Sequence, residues 1–408
     1  MPSYDYVIVG AGFTGATFAH FATKMGKKCI VIDKREHIGG NSYTESVSGI
    51  QVHKYGPHIF HTSNDEIWNF VNQFVTFNNF VNRPKVIYQQ KIFSFPINMM
   101  TLYQLWGVQN PSDAKKMLVE ATSPYKDKYS SPGNMEEWAL CQVGKEIYET
   151  FIYGYTTKQW KRTPDKLPAS ILKRVPIRLT WDDNYYEDKH QGIPIGGYTK
   201  IFEGMLEGIE VQLGVDFLKE KGLFETLGHR IIYTGPVDEL YNYEFGKLEY
   251  RTLNFDTKVQ SGDCQGNAIF NYSDLTVPWT RIIEHKHFDI SQKSENTVIT
   301  TEIPAEWVEN STPYYPINDD VNNSLYERYA KIINPKYIIA GRLGRYKYFD
   351  MHQAIGSAIQ LHKNLNLNIK LHPSIQLKIM CYIEKICQMK KRSLLTFLQV
   401  SLTSHSLN

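Results

Sequence analysis

No stretch of this 408-residue chain approaches the roughly 18 consecutive apolar residues that a membrane-spanning helix requires. Its five cysteines, Cys29, Cys141, Cys264, Cys381 and Cys387, are scattered, with no CxxC pair and no metal-ligand spacing. That pattern speaks against a disulfide framework and for reduced thiols. A large excess of charge of one sign is also lacking: the net charge is +3, and from Pro373 onward Lys378, Lys385, Lys390, Lys391 and Arg392 face Glu384 alone. The rest is near neutral and offers no basic face for nucleic acid. No serine, histidine and aspartate form a nucleophile-elbow signature. His58 and His61 lack the further carboxylate or cysteine that would make a metal site persuasive, so no metal is expected. The first apolar run starts almost at Met1, leaving no room for a cleaved leader, and a cytoplasmic location is expected.

What the chain does contain begins at once. An apolar run from Tyr4 to Val9 meets Gly10, Gly12 and Gly15, and a second apolar run ends at Asp33. The order reads strand, glycine turn, helix, strand, acid. Gly10 permits the tight turn, Gly12 lets backbone N–H groups approach a pyrophosphate at a helix N-terminus, and Gly15 allows close helix-to-strand packing. Asp33 falls where a ribose hydroxyl needs an acceptor. Lys34, Arg35, His37, Ile38, Gly39, Gly40 and Asn41 lie in the segment that follows directly, and a second glycine pair there favours a bound flavin over a diffusing nicotinamide.

Further on, Gln51 to Thr62 reads as strand and loop, and Val86 to Phe95 alternates like two short strands. From Thr101 to Arg174 the pattern turns helical, with Ser112 as a cap for a helix through Ala114 and Leu118, and Met135 to Tyr148 at helical spacing. Short β-type runs dominate from Leu248 to Glu302 and read as an antiparallel sheet. Tyr337 to Ala340 reads as a last strand of the nucleotide domain, with a helix following Asp350. The expected fold class is α/β: a Rossmann-like FAD-binding domain with an inserted helical domain and an antiparallel β-sheet domain. Phe151, Tyr155, Trp160, Arg174, Tyr185, Arg281, Tyr314, Tyr315 and Tyr348 stand out as an aromatic and arginine set, suited to base stacking and bidentate phosphate binding.

The strings "VGAGFTGA", "DKREHIGGNSY", "HKYGPHIFHT", "GYTTKQW", "LPASILKRVPIR", "DDNYY", "GIPIGGYTK", "YTGPVDE", "RIIEHKHF", "PYYPIN" and "GRLGRYKYFDMHQ" occur in order between Tyr4 and Leu365. Together they resemble the bacterial UDP-galactopyranose mutases. The resemblance implies interconversion of UDP-galactopyranose and UDP-galactofuranose, supplying galactofuranose for cell-surface polysaccharide, with reduced FAD as an N5 nucleophile at the anomeric carbon. It implies a discontinuous FAD domain (1–60, 198–245, 330–372), a helical insertion (97–173) with a mobile loop near 165–180, and a sheet domain (61–96, 174–197, 246–329). It also implies a homodimer and an external reductant, either NAD(P)H or a flavin reductase.

Carried over by position, Arg174 and Arg281 hold the diphosphate, and with His61 and Tyr348 they make the catalytic set. Gly10, Gly12, Phe13, Thr14, Gly15, Asp33, Lys34, Arg35, Gly39, Gly40, Asn41, His58, Ile59, Gly341, Arg342, Tyr348, Asp350 and Met351 bind the cofactor, with His61 over the isoalloxazine face. Asn82, Phe151, Tyr155, Thr156, Trp160, Tyr185, Asn271, Tyr314, Tyr315 and Tyr348 join the arginines around substrate, with Tyr155 stacking on uracil. The chain departs from the family in its tail, 373–408, where Ile375, Ile379, Ile383 and Ile386 fall at helical spacing. Two other classes stand beside this reading: an amine-oxidase-like flavin oxidoreductase, which needs an apolar channel, and an inactive nucleotide-sugar binding protein.

Overall fold

The computed structural model describes residues 2–169, 177–291, 293–308 and 311–370. Arg174, the centre of the expected 165–180 loop and the tail 373–408 lie outside these residues. Residues up to Ala358 form one compact unit; the described residues beyond it, 359–370, continue the helix Met351–Lys370 into a second.

Near-continuous apolar runs make the first sheet. Tyr4–Val9 lies at its centre, flanked by Gly228–Tyr233 and Cys29–Asp33, with Tyr337–Ile339 and Glu210–Leu213 at the edges, and every pair is parallel. Val7, Ile8, Ile30, Val31, Ile32, Ile231 and Ile232 are buried, as expected for strands covered on both faces. The helix Phe13–Lys24, in which Ala16, Phe18, Ala19 and Ala22 are buried, packs against this sheet, with Phe18 edge-on to Tyr6. Small residues there bring the helix close enough for Gly15 to touch the backbone of Gly10.

The second sheet has seven strands, ordered Tyr315–Pro316, Tyr250–Ser261, Asn296–Glu306, Arg281–Glu284, Ile269–Tyr272, Lys85–Tyr88 and Lys91–Ser94. It is antiparallel, as expected, except that Ile269–Tyr272 runs parallel to Lys85–Tyr88. The two meet only after a long crossover through the helical segment, and a crossover of that kind permits the parallel direction. Register then matters for function: Asn271 lies opposite Arg281, and Arg281 opposite Glu302, so the three form one row across neighbouring strands. At the outer strand the Gln104 side chain accepts from Ser94 N–H (2.8 Å) and donates to Ile92 C=O (3.1 Å), occupying backbone groups that would otherwise invite another strand.

The helical segment comprises Met99–Trp106, Pro111–Lys128, Met135–Ile147, a π-helical turn Tyr148–Tyr153 and Gly154–Trp160. Its core joins Met99, Leu102, Met135, Ala139, Val143, Ile147 and Phe151 to Phe93 of the sheet. The expected cap at Ser112 is corrected by the structure: Asn110 is the N-cap, accepting from Asp113 N–H at 3.0 Å, and Pro111 takes the first helical position. Proline has no N–H to leave unsatisfied there, so the helix starts two residues earlier than a serine cap would place it. Asn110→Ala is expected to cost about 1 kcal/mol, read as a lower urea midpoint.

Candidate active site

The glycine turn after Tyr4–Val9 is held by close contacts that only glycine permits. Gly10 has φ +110°, and a Cβ on Gly15 would stand 1.9 Å from the Gly10 carbonyl oxygen. Gly12 caps the helix Phe13–Lys24 without any side-chain hydrogen bond, so its first N–H groups stay open to an anion. Across from it Gly40, with φ +55°, approaches so closely that a Cβ would reach the Gly12 Cα at 3.2 Å. Asp33 is partly spent on this loop: it accepts Ala11 N–H (2.8 Å) and Arg35 N–H (3.0 Å). Its oxygens keep further lone pairs for a ribose hydroxyl. Arg35 donates to Asn41 Oδ1 (2.8 Å), while Lys34 is exposed. Gly341, φ +76°, sits beside Thr14.

The histidines of "HKYGPHIFHT" divide by environment. His53, His58 and His285 are interlinked: His58 N–H donates to His53 Nδ1 (3.1 Å), His53 N–H to His285 Nδ1 (3.3 Å), and His285 Nε2 meets Thr300 Oγ1 (2.8 Å). Burial pulls His58 down to about 4 and His285 to about 3, and lowers His53 as well. All three are neutral in the fold and charge when unfolded, so the unfolded chain binds more protons between those values and about 6.5. Stability is therefore fully present above about pH 6.5 and falls as pH drops toward 4. A thermal-unfolding series across that window is expected to show the decline.

His61 is different. Its Nδ1 lies 2.6 Å from Asp188 Oδ2, Ser63 Oγ donates to Asp188 Oδ1 (2.7 Å), and its ring stacks on Tyr186 at 3.7 Å and 11°. Burial alone would raise the Asp188 carboxyl, but His61 and Ser63 hold it below the usual range. Donor atoms of Asp350 and His352 lie within 4.8 Å of that of His61.

Beyond His61 a polar wall assembles from distant parts of the chain. Arg281 Nη2 donates to Tyr155 Oη (3.0 Å) and approaches Glu302 Oε1 (3.5 Å). Burial would lower the guanidinium, but the Glu302 carboxylate, 1% exposed, overrides it and holds Arg281 charged. Its Nε is buried with no partner among the described residues, an open donor beside the engaged Nη2. Tyr315 stacks with Tyr348 (6.0 Å, 22°), and burial keeps the Tyr315 hydroxyl protonated. The Arg342 guanidinium lies 4.7 Å from the Tyr348 ring, donating through Nε to Phe349 C=O (3.1 Å) and through Nη1 to Tyr314 C=O (3.3 Å).

The remaining expected residues make contacts of their own. Phe151 and Thr156 are buried, Phe151 edge-on to Phe93, and Trp160 packs on the helical core. Phe13 packs at a tilt against Phe202 and Ile59 lies in a core cluster, so their side chains serve packing. Tyr314 turns its ring to Phe255. Asn82 supports the site through its carbonyl, which accepts Tyr185 N–H at 2.8 Å. Asn271 Nδ2 donates to Lys85 C=O (3.4 Å). Met351 opens the last helix, and Asp350 N–H donates to Gln353 Oε1 (2.9 Å).

Comparison with known proteins bears on the family. Residues 150–348 match the UDP-galactopyranose mutase family, and residues 8–74 match the NAD(P)-binding Rossmann-like domain. A probable UDP-galactopyranose mutase of Klebsiella pneumoniae is 41% identical over 367 residues, covering 88% of this chain and 94% of that protein. The chain belongs to the UDP-galactopyranose mutase family. As a member it is a mutase, an isomerising enzyme, and its parallel sheet is the Rossmann-like domain. A dTDP-fucopyranose mutase of Escherichia coli is 39% identical, with 87% and 96% covered. The fold matches a solved reduced UDP-galactopyranose mutase with a TM-score of 0.70 at 16% identity, over 90% of this chain and 94% of that one.

For a mutase of this family the glycine cradle fits FAD. The uncapped start of Phe13–Lys24 leaves backbone N–H groups for a diphosphate, and glycine at positions 10, 12 and 40 adds no side chain beside them. No helix among the described residues is long and apolar enough to cross a membrane. Sequence reading missed Glu302, Tyr186 and Asp188. Only Glu302 had a usable signal, its cross-strand register with Arg281; His61 and Asp188 are 127 residues apart.

Proposed function

We propose that this mutase interconverts UDP-galactopyranose and UDP-galactofuranose, a ring contraction without net redox change. The observation that carries the reading is Arg281: a charged fork backed by a buried carboxylate, with an open buried Nε, beside Tyr155, Tyr315 and Tyr348. When bound, reduced FAD supplies a nucleophilic nitrogen for the anomeric carbon. The chain's own residues do the rest. Arg281 grips the diphosphate as it becomes a leaving group and keeps it near for recapture. Tyr155 offers a flat face to uracil, and the Tyr315 and Tyr348 hydroxyls donate to diphosphate oxygens. Arg174 is the second diphosphate clamp on sequence grounds. A cytoplasmic homodimer served by an external reductant belongs to the same reading.

A second substrate, dTDP-fucopyranose, is favoured by the 39% relative of that name. The test incubates the purified protein with UDP-galactofuranose or dTDP-fucofuranose, with and without dithionite, and separates products by HPLC. Pyranose formed from the uridine sugar only under reduction is the expected result. Conversion of the deoxythymidine sugar alone would move the reading to the second substrate, and conversion of neither by an FAD-loaded protein would sink both.

A further inference from the structure

Lys158 is 6% exposed, an unusual place for a lysine, and its ammonium donates to three backbone carbonyls: Tyr272 (2.8 Å), Asp274 (2.6 Å) and Trp279 (2.8 Å). Every N–H of the ammonium is thereby used. The three acceptors bracket the turn that joins Ile269–Tyr272 to Arg281–Glu284, the strands that carry Asn271 and Arg281. Four residues earlier on the same helix stands Gly154, where a Cβ would lie 2.0 Å from Ser273 C=O. Positions i and i+4 share a face, so Gly154 and Lys158 together dock Gly154–Trp160 onto that turn. Tyr155, the next residue, is where the helix meets Arg281. Packing alone would be served by an aliphatic side chain. A lysine cross-linking three carbonyls of one turn fixes the turn's conformation as well as the distance to the helix.

We infer that Lys158 is a positioning residue: with Gly154 it fixes the helix bearing Tyr155 against the turn preceding Arg281, so that aromatic ring and guanidinium are in place before nucleotide binds. It acts through those two residues and touches no substrate. The inference rests on the nucleotide-sugar reading of the Arg281 site. It explains why the segment "GYTTK" carries glycine and lysine beside its tyrosine, since preorganisation of the clamp lowers the cost of binding.

The test uses FAD-loaded Lys158→Met and Gly154→Ala beside the wild type, with UDP and dTDP as probes. The expected result is a rise of about tenfold in nucleotide dissociation constant and in KM for both variants, with kcat within about twofold and FAD content unchanged. Gly154→Ala keeps the lysine, so the shared signature separates position from charge. Dissociation constants within about twofold of wild type in both variants overturn the inference. So does a lower thermal midpoint or lost FAD with nucleotide affinity unchanged, which assigns the contact to stability. Should Lys158→Met fail to fold, Gly154→Ala decides on the same criteria, and failure of both to fold also overturns it. Wild-type protein that binds neither nucleotide would sink the nucleotide-sugar reading and this inference together; wild-type binding with unaffected variants sinks this inference alone.

Discussion

Arg281→Lys is expected to lower kcat/KM by about 10²- to 10³-fold while the protein keeps its FAD and its fold. Lysine retains the charge that Glu302 faces, but it replaces a planar fork with a point donor. The substitution therefore removes the bidentate grip and the open Nε while sparing the buried carboxylate. Arg281→Ala does more. It leaves Glu302, 1% exposed, without its cation, and breaking a buried pair in this way costs about 3–5 kcal/mol. The two variants thus separate clamp from scaffold: steady-state kinetics with reduced enzyme should show both losing turnover, and urea unfolding should show only alanine losing stability. An Arg281→Lys enzyme with wild-type kcat/KM would remove Arg281 from the reaction.

Gly15→Ala carries the second large effect. In an ordinary helix the change would help by about 1 kcal/mol. Here the new Cβ would sit 1.9 Å from the Gly10 carbonyl oxygen and 3.1 Å from Ile8 Cγ2, and neither backbone can retreat without opening the first sheet. A loss of about 3 kcal/mol or more is expected, together with a protein purified without visible flavin absorbance. Retained flavin at the wild-type urea midpoint would mean the turn tolerates side chains and the cradle argument is wrong.

The first half of the nucleotide fold was readable because its signals are local: glycine spacing, apolar runs and an acid at the strand end all lie within a few dozen residues. Sheet order was less accessible. Nothing near Lys85–Tyr88 announces a parallel partner at Ile269–Tyr272, because direction is set by the path of the crossover. Among the site residues, Tyr155, Arg281, Tyr315 and Tyr348 stood out by type and Arg342 through the family resemblance, and the structure places Arg281 against Tyr155 and Tyr348 between Tyr315 and Arg342. Asp188 and Lys158 did not stand out, for a physical reason. Asp188 matters only through a histidine far away in sequence, and Lys158 is bound by backbone carbonyls, which leave no trace in residue identity. Asp33 shows the reverse case: its position was legible, but not its engagement with Ala11 and Arg35.

The order of strands in the parallel sheet also sets a timetable for synthesis. Tyr4–Val9 gains Cys29–Asp33 on one side almost as soon as both leave the ribosome, whereas its other neighbour, Gly228–Tyr233, is about 200 residues away. At typical elongation rates that edge stays bare for roughly 10–40 s. The nascent chain thus carries an apolar half-sheet long before it can hold a nucleotide, and for that interval the strand at the heart of the finished enzyme is a natural client for chaperones.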